Sequence, residues 1–229
     1  MIVRAKHAVP EQVREYLGAV LDRDRSSALS TVDRMLESKK DMAEAFNLLA
    51  AAQVEIGEMW AKGIVSVADE HFATNVTLEC VDIVSERLSR PRVRRRGLAF
   101  LCTVEGEYHL VGLKMFSELL RDQGWETVIL GSSFSAESLS RRADALRGRR
   151  VDLLCISATM PSCLPLLVDT LEAIRTVPAY SRASIIVGGH AVTSRRWRDA
   201  LSHGRDGALA DFLARDYESA LKFAASLNR

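Results

Sequence analysis

The spacing of apolar residues changes once along the chain, near residue 97, and this change constrains the fold most strongly. Before it, apolar residues recur three and four positions apart, as in amphipathic helices. After it, short apolar runs alternate with helical stretches, as in strands joined by crossover helices. Residues 90–96, RPRVRRR, lie between and predict a solvated linker. We therefore predict two domains, a helical one over 1–90 and an α/β one over 97–229.

The first region is predicted to contain four helices with short connections. Gly63 is a stop signal for the third helix, and Ser66 followed by Asp69 resembles a capping box that begins the fourth. Short turns favour antiparallel neighbours, so the expected architecture is a four-helix bundle. The first three helices are predicted over about 10–22, 27–38 and 41–62.

The second region is predicted to form a flavodoxin/Rossmann-like, five-stranded parallel sheet with helices on both faces. In such sheets the loops after the carboxyl ends of the strands usually form the ligand site. The predicted strands are GLAFLCT (97–103), WETVILG (125–131), VDLLCISA (151–158), ASIIVGGH (183–190) and DGALAD (206–211). The predicted helices cover about 109–123, 135–147, 161–176, 192–203 and 212–227.

Composition narrows the classes of function. The 31 Lys and Arg residues nearly balance the 30 Asp and Glu residues, so a general attraction to nucleic acid or acidic membranes is not expected. No apolar run is long enough to span a bilayer, and the amino-terminal segment has no signal-peptide core, so we expect a cytoplasmic protein. The four cysteines form no CxxC pair and are expected to be reduced and buried.

Several familiar site motifs are missing from the sequence. It contains no GxGxxG, no GxxxxGK[ST] and no GxSxG, so dinucleotide, P-loop and α/β-hydrolase interpretations lose their main support. None of the five histidines is paired with another histidine or a cysteine at zinc spacing.

The loop after the first predicted strand carries the strongest functional signal, Glu107-x-His109-x-x-Gly112. An imidazole is a good metal ligand, and its second ring nitrogen needs an acceptor that fixes its orientation, which a carboxylate two residues earlier can supply. Gly112 would let a bulky ligand approach closely. The alternative is an ordinary loop histidine.

Small residues end two further predicted strands at the same edge of the sheet. Ser157-Ala158-Thr159 ends the third strand, and Gly188-Gly189 ends the fourth. They would open a slot between the strands, and Ser157 could form a hydrogen bond with a ligand lying in it. Each segment taken alone could also be a simple turn.

In this order, EYHLVG, SAT and GG resemble the pattern [DE]xHxxG, SxL or SxT, and GG of the cobalamin-binding domain family. The resemblance implies that His109 replaces the nucleotide base of the cofactor as the lower axial ligand of cobalt. Methyltransferase-type members usually have Asp at the position of Glu107, whose longer side chain could still contact His109. The resemblance also implies a site for the displaced base and its tail beside Ser157, Thr159, Gly188 and Gly189.

The helical region contains a second resemblance, Trp60 followed after nine residues by Glu70-His71. Antiparallel pairing of the third and fourth helices would bring these residues to one tip of the bundle. The spacing resembles the Wx9EH motif of the CarH-like adenosylcobalamin-dependent photoreceptors. That resemblance implies a bundle that caps the upper face of adenosylcobalamin, with Trp60 beside the adenosyl group, Glu70 touching it and His71 binding cobalt after light. Otherwise Trp60 is a packing residue, Glu70 favours the helix dipole and His71 is a surface or core histidine.

Regulators of that group carry a helix-turn-helix domain before the bundle, whereas about nine residues precede the first predicted helix here. We therefore expect no direct DNA binding. The output would pass through a protein partner, such as a transcription regulator or signalling protein, or through a homo-oligomer that depends on light or cofactor. The linker and a cluster formed by Arg195, Arg196 and Arg198 are candidate contact surfaces, with a solvated surface as the alternative.

Three functions fit these features. The main hypothesis is a non-enzymatic, stand-alone light sensor, in which photolysis of adenosylcobalamin changes the domain arrangement and a protein interface that regulates gene expression. The first alternative is a corrinoid carrier that delivers a methyl group to a methyltransferase. The second alternative is a corrinoid sensor that reports cofactor abundance.

Overall fold

The computed structural model describes residues 10–38, 41–89, 95–144, 149–202 and 209–227. The chain divides into two compact units, one of Val3–Pro91 and one of Arg92–Arg229 with Met1–Ile2. The prediction of a helical bundle followed by a five-stranded parallel sheet with helices is confirmed. Over the described ranges, every helix is too short or too polar to cross a membrane.

The helical unit contains α1 (Glu11–Leu21), α2 (Arg25–Ser38), α3 (Met42–Ala61) and α4 (Val67–Leu88). Each helix contributes an apolar face to one core, which holds the helices together because apolar area is removed from water. The fully buried members of this core include Val13, Tyr16, Val20, Ala28, Phe46, Ala52, Ile56, Ala73, Cys80, Val81 and Val84.

The turn between α3 and α4 has the two signals predicted for it. Gly63 adopts a positive φ of 68° just after α3, a conformation that glycine reaches without steric cost. Ser66 and Asp69 form a reciprocal capping box at the start of α4. Arg23, at the end of α1, adds two hydrogen bonds to the Asp69 carboxylate. The α3–α4 hairpin is therefore fixed at the tip that carries Trp60 and Glu70.

The second unit alternates strands and helices. Its strands are β1 (Gly97–Val104), β2 (Trp125–Phe134), β3 (Leu153–Ser157), β4 (Ser184–Gly188) and β5 (Phe212–Leu213). Its α-helices are α5 (Val111–Asp122), α6 (Ala136–Asp144), α7 (Leu164–Arg175), α8 (Arg195–Ser202) and α9 (Tyr217–Ser226), and short 3₁₀ turns cover Pro161–Cys163 and His190–Thr193. The strands pair in parallel in the order β2-β1-β3-β4-β5.

Alternate residues of the central strands point to two separate cores. On one face, Leu101 and Cys155 pack with α5 and α9. On the other face, Phe100 and Ile156 pack with α6, α7 and α8. Because helices cover both faces of the sheet, the ends of its strands are the part that a ligand can reach. The candidate residues of this unit lie at those ends.

The predicted position of the fifth strand was wrong. Residues 206–208 lie outside the described residues, and 209–211 form no strand, although Leu209 and Ala210 are buried. The strand is Phe212–Leu213, which was predicted to begin the last helix. It pairs with Ile186 and Val187 at only two positions. A strand this short leaves too little apolar periodicity to locate it from sequence.

Candidate functional site

Three neighbouring strands present small or polar residues at the same level of the sheet edge. Thr103 of β1 lies opposite Ser157 of β3, which in turn lies opposite Gly188 of β4. β1 and β3 flank the point where the strand order reverses, because β2 lies on the other side of β1. A parallel sheet usually binds its ligand at such a switch point.

The carboxylate of Glu107 is the centre of hydrogen bonding at this edge. Its Oε1 accepts the backbone N–H groups of Tyr108 at 2.9 Å and His109 at 3.0 Å. Its Oε2 accepts the N–H groups of Thr159 at 2.7 Å and Met160 at 2.8 Å. The residue has no exposed surface. Glu107 therefore joins the loop after β1 to the loop after β3.

The same carboxylate contacts Nδ1 of His109. Burial raises the pKa of Glu107, but hydrogen bonds from the His109 ring and from three backbone N–H groups outweigh it and lower the pKa from 4.5 to about 2. Glu107 is thus an anion at neutral pH, so the Nδ1 that faces it carries the imidazole proton. The lone pair that a metal would use then lies on Nε2.

His109 combines this fixed orientation with access to solvent, since 52% of its side chain is exposed. Among the described residues, no group of three or more His, Cys, Asp or Glu side chains could hold a bare metal ion. His109 thus presents an oriented imidazole at the sheet edge.

Thr103 and Ser133 support the loop that carries Glu107, and sequence reasoning missed both. The buried Thr103 hydroxyl donates to the Glu107 carbonyl and accepts the N–H of Ser133 at 2.9 Å. Ser133 has a φ of 58°, and its N–H also lies 3.0 Å from the Glu107 carbonyl. A threonine at the end of the apolar strand GLAFLCTV was the available signal.

The start of α5 was predicted two residues too early for a related reason. The helix begins at Val111 rather than at His109. The N–H groups of Tyr108 and His109 are already bound by Glu107, so this stretch is a loop shaped by the carboxylate. Gly112 lies in the first turn of α5 and is exposed.

The two glycines that were predicted to line the slot differ in whether a side chain would fit there. A Cβ on Gly189 would lie 2.2 Å from the Ala158 carbonyl oxygen, and the residue has a φ of 102°. A Cβ on Gly188 would meet only the Ala214 Cβ, at 3.9 Å. Gly189 is therefore required by the packing of the β3 and β4 loops themselves, whereas Gly188 leaves open space.

The structure brings Trp60, Glu70 and His71 to one end of the α3–α4 hairpin. Trp60 lies in the last turn of α3 and is 44% exposed. Glu70 and His71 lie in the first two turns of α4, where Nε2 of His71 is 3.7 Å from Oε2 of Glu70. The His71 side chain is 70% exposed.

Several arginines predicted as contact surface bind within their own unit. Arg95 pairs with Glu126, and Arg96 donates to the carbonyls of Gln123 and Ala225. Arg195 is exposed and lies 3.9 Å from Asp199, and Arg198 donates to the Leu213 carbonyl. Residues 90–94 and the Arg196 side chain lie outside the described part of the chain.

Comparison with known families identifies the family to which both units belong. A model described as a B12 binding domain matches residues 97–211, and a second model with that description matches residues 12–85. The chain belongs to the B12-binding domain family. It is a cobalamin-binding protein, and its resemblance to cobalamin-binding domains is confirmed.

The curated relatives of this B12-binding chain include corrinoid proteins and a transcriptional repressor. The chain is 22% identical over 193 residues to dimethylamine corrinoid protein 1 of Methanosarcina acetivorans, covering 83% of this chain and 88% of that protein. It is 28% identical over 181 residues to the HTH-type transcriptional repressor CarH of Myxococcus xanthus, covering 79% of this chain and 58% of that protein.

A solved structure supports the fold of the B12-binding chain. The monomethylamine corrinoid protein of Methanosarcina barkeri superposes with a TM-score of 0.74 at 18% identity, covering 95% of this chain and 98% of that one. The order of a helical bundle and a parallel sheet is thus shared with a known corrinoid protein.

Proposed function

We propose that this protein binds cobalamin with His109 as the lower axial ligand of cobalt, in place of the cofactor's own nucleotide base. The observation that carries the proposal is the Glu107 carboxylate, which is buried, anionic and in contact with Nδ1 of His109. A metal-bound histidine usually gives its other ring nitrogen to such an acceptor, which fixes the ring and raises its basicity.

The residues of the sheet edge suit the rest of the cofactor. Bound cobalamin supplies a cobalt centre that carries an exchangeable upper group. The displaced base and tail would lie beside Ser157, Thr159, Gly188 and Gly189. Gly188 leaves room there, because even a Cβ would meet no atom closer than 3.9 Å. The Ser157 hydroxyl has no hydrogen-bond partner among the described residues, so it could bind the tail.

The helical unit would cover the upper face of the bound cofactor with its α3–α4 tip. Trp60 offers an exposed indole, and Glu70 offers a carboxylate that accepts hydrogen bonds from hydroxyl groups. A ribose in an adenosyl group carries such hydroxyls, whereas a methyl group carries none. The tip would therefore favour adenosylcobalamin over methylcobalamin.

A corrinoid carrier for a methyltransferase system is the use that the curated relatives favour. The dimethylamine corrinoid protein matches this chain over 88% of its own length, so both units are shared with it. In this role the protein would present a methyl group on cobalt to a methyltransferase partner. Its upper face must then become accessible to that partner.

Light sensing is the second candidate function. It is favoured by the position of His71 at the α3–α4 tip. An exposed imidazole at His71, beside the Glu70 carboxylate, is a competent cobalt ligand once an upper group has left. A methyl carrier has no evident use for that histidine. As a sensor, the protein would regulate gene expression through a protein partner or through self-association.

One titration separates these functions. Purified protein is mixed in the dark with adenosylcobalamin or methylcobalamin, and absorption spectra are recorded before and after green light. A sensor binds the adenosyl form more tightly, and its illuminated spectrum depends on His71. A carrier binds the methyl form at least as well and gives the same illuminated spectrum in wild-type protein and His71→Ala. Failure to bind either form would refute the His109 proposal.

A further inference from the structure

Buried hydrogen bonds join α1, α3 and α4 in the core of the helical unit, beneath Glu70 at its tip. They begin at the Tyr16 hydroxyl of α1, which lies 2.8 Å from Oγ1 of Thr77 in α4. The side-chain amide of Gln53 in α3 donates to the same Thr77 oxygen and, at 3.2 Å, to the Ala73 carbonyl. Tyr16 and Thr77 are completely buried, so this polar set is part of the interface between three helices.

Counting hydrogens assigns the direction of these bonds. Thr77 donates its only hydroxyl hydrogen to the Ala73 carbonyl, 2.8 Å away. The Tyr16 hydroxyl and the Gln53 amide must therefore both donate to Thr77. Every hydrogen-bonding position of the Thr77 hydroxyl is then filled, as a buried polar group requires.

Thr74 lies between this buried set and the tip. Its hydroxyl has one hydrogen and two acceptors within reach, Oε1 of Glu70 at 2.9 Å and Oε1 of Gln53 at 3.4 Å. The shorter contact is with the charged acceptor, and hydrogen bonds to charged groups are the stronger ones. Thr74 therefore donates its hydrogen to Glu70, and the Oε1 atom of Gln53 receives no hydrogen bond from it.

The spacing of these residues places them in one column beneath the tip. Gln53 precedes Trp60 by seven residues, which is two helical turns, and Thr74 and Thr77 follow Glu70 by four and seven. Apolar side chains in these positions would pack the helices without polar groups to satisfy. At the top of this column, the Thr74 hydroxyl holds one side chain of the tip, the Glu70 carboxylate.

We propose that Thr74 is a positioning residue that holds the Glu70 carboxylate in the orientation that selects a hydroxyl-bearing upper group. This inference rests on the proposed function, in which the α3–α4 tip covers the upper face of cobalamin. It adds one residue, Thr74, that would act on the cofactor only through Glu70. The chemical class selected is a sugar-like upper group such as adenosyl.

The test compares affinities for adenosylcobalamin and methylcobalamin in the dark, measured by visible absorbance. Thr74→Val removes the hydroxyl at nearly constant volume, and Thr74→Ser restores it. Ser85→Ala is the matched control, because Ser85 is also in α4 and its hydroxyl donates to the Val81 carbonyl at 2.7 Å without reaching Glu70. Thr74→Val should lower the ratio of adenosyl to methyl affinity about five-fold, while the other two variants keep it.

A second measurement uses the protein without cofactor. The side-chain carboxyl carbon of Glu70 is observed by NMR in wild-type protein, Thr74→Val, Thr74→Ser and Ser85→Ala. Loss of the hydrogen bond should shift this resonance in Thr74→Val only. An unchanged Glu70 resonance in Thr74→Val would overturn the positioning role, whatever the affinities are.

The outcomes also separate this inference from the functions on which it rests. If Glu70→Gln lowers the affinity ratio and Thr74→Val does not, the positioning role fails while Glu70 keeps its place on the upper face. If Thr74→Val weakens both cofactors equally, Thr74 is only structural and the inference fails. If Glu70→Ala, which removes both acceptor oxygens, leaves the ratio unchanged, Glu70 does not contact the upper group and the inference fails with it. The His109 proposal is judged separately, by His109→Ala.

Discussion

The two candidate cobalt ligands, His109 at the sheet edge and His71 at the bundle tip, are both histidines beside a glutamate, yet they are held very differently. Nδ1 of His109 touches a fully buried carboxylate that also accepts four backbone N–H groups. His71 is 70% exposed on a helix, with the nearest Glu70 oxygen at 3.7 Å. The first arrangement suits a ligand that stays on the metal, and the second suits one that can come and go.

The difference between the two sites lies in what each glutamate is bonded to. Glu107 is bonded to backbone, so it can move only if two loops move with it. Glu70 accepts one side-chain hydroxyl, from Thr74, so a single hydrogen bond holds its orientation. Groups that are held in place before a ligand binds lose little freedom on binding, and Glu107 is held by more hydrogen bonds than Glu70.

Replacing each of the two histidines by alanine should give the largest difference in cobalamin affinity between the two sites. We expect His109→Ala to weaken cobalamin binding by more than about 100-fold, the upper end of what loss of an outer-shell partner costs a metal site. His71→Ala should bind adenosylcobalamin in the dark as well as wild-type protein does. Equilibrium titrations by visible absorbance measure both. Equal losses in the two variants would mean that both histidines bind cobalt before light, contrary to the comparison.

The sequence was sufficient to predict His109 and Glu107, because their signal is local. Both lie within six residues, directly after an apolar strand. The partners of Glu107 at Thr159 and Met160 could not be predicted, since they act through backbone N–H groups of a loop more than fifty residues away. Side-chain identity carries no information about such contacts.

The same reasoning explains which elements of the fold were predicted well. The α3–α4 turn carries its own side-chain signals in Gly63, Ser66 and Asp69, and they were interpreted correctly. β5 depends on its pairing with Ile186 and Val187, so only the assembled sheet determines its position. Gly189 was predicted to line a ligand slot, but its most direct requirement is its close approach to Ala158, which the sequence does not reveal.

Neutralising the two glutamates should affect stability unequally. Glu107→Gln keeps the side-chain length but replaces one acceptor oxygen with a donor facing N–H groups. We expect it to lower the free energy of unfolding by about 2–4 kcal/mol in cofactor-free protein, as when buried hydrogen bonds to a charged group are lost. Glu70→Gln should cost less than about 1 kcal/mol.

Urea unfolding followed by circular dichroism measures these changes in stability. Glu105→Gln is the control for the first substitution, since Glu105 is exposed and only two residues away. A Glu107→Gln protein as stable as the control would show that the buried carboxylate does not hold the two loops together.

The two slot glycines should separate folding from cofactor binding at the sheet edge. Gly189→Ala forces a Cβ to within 2.2 Å of a backbone oxygen and should cost more than about 2 kcal/mol of stability. Gly188→Ala should change stability by less than about 1 kcal/mol, because its Cβ has ordinary contacts. If Gly188→Ala loses cofactor on a desalting column, the loss then indicates that the nucleotide tail of the cofactor binds beside Gly188. Full retention by both Gly188→Ala and the bulkier Gly188→Val would place the tail elsewhere.

The smallest expected effect concerns pH at the tip. Hydrogen bonds from the Ser66 hydroxyl, from Arg23 and from the Ser66 backbone lower the pKa of Asp69 from 3.8 to about 2. Because the folded pKa lies below the unfolded one, the stabilisation from Asp69 is complete above about pH 4 and is lost as the pH falls toward 2. Ser66→Ala removes the first of these bonds, so its Asp69 should titrate closer to 3.8.

An NMR titration of the Asp69 carboxyl carbon in wild-type protein and in Ser66→Ala measures this shift directly. The difference in urea midpoint between wild-type protein and Ser66→Ala should be present at pH 6 and smaller at pH 2. A difference that stays constant over this range would show that the Asp69 charge does not stabilise the tip. Asp69 would then stabilise the start of α4 only through the geometry of the capping box that it forms with Ser66. The stability of the tip would in that case not depend on pH.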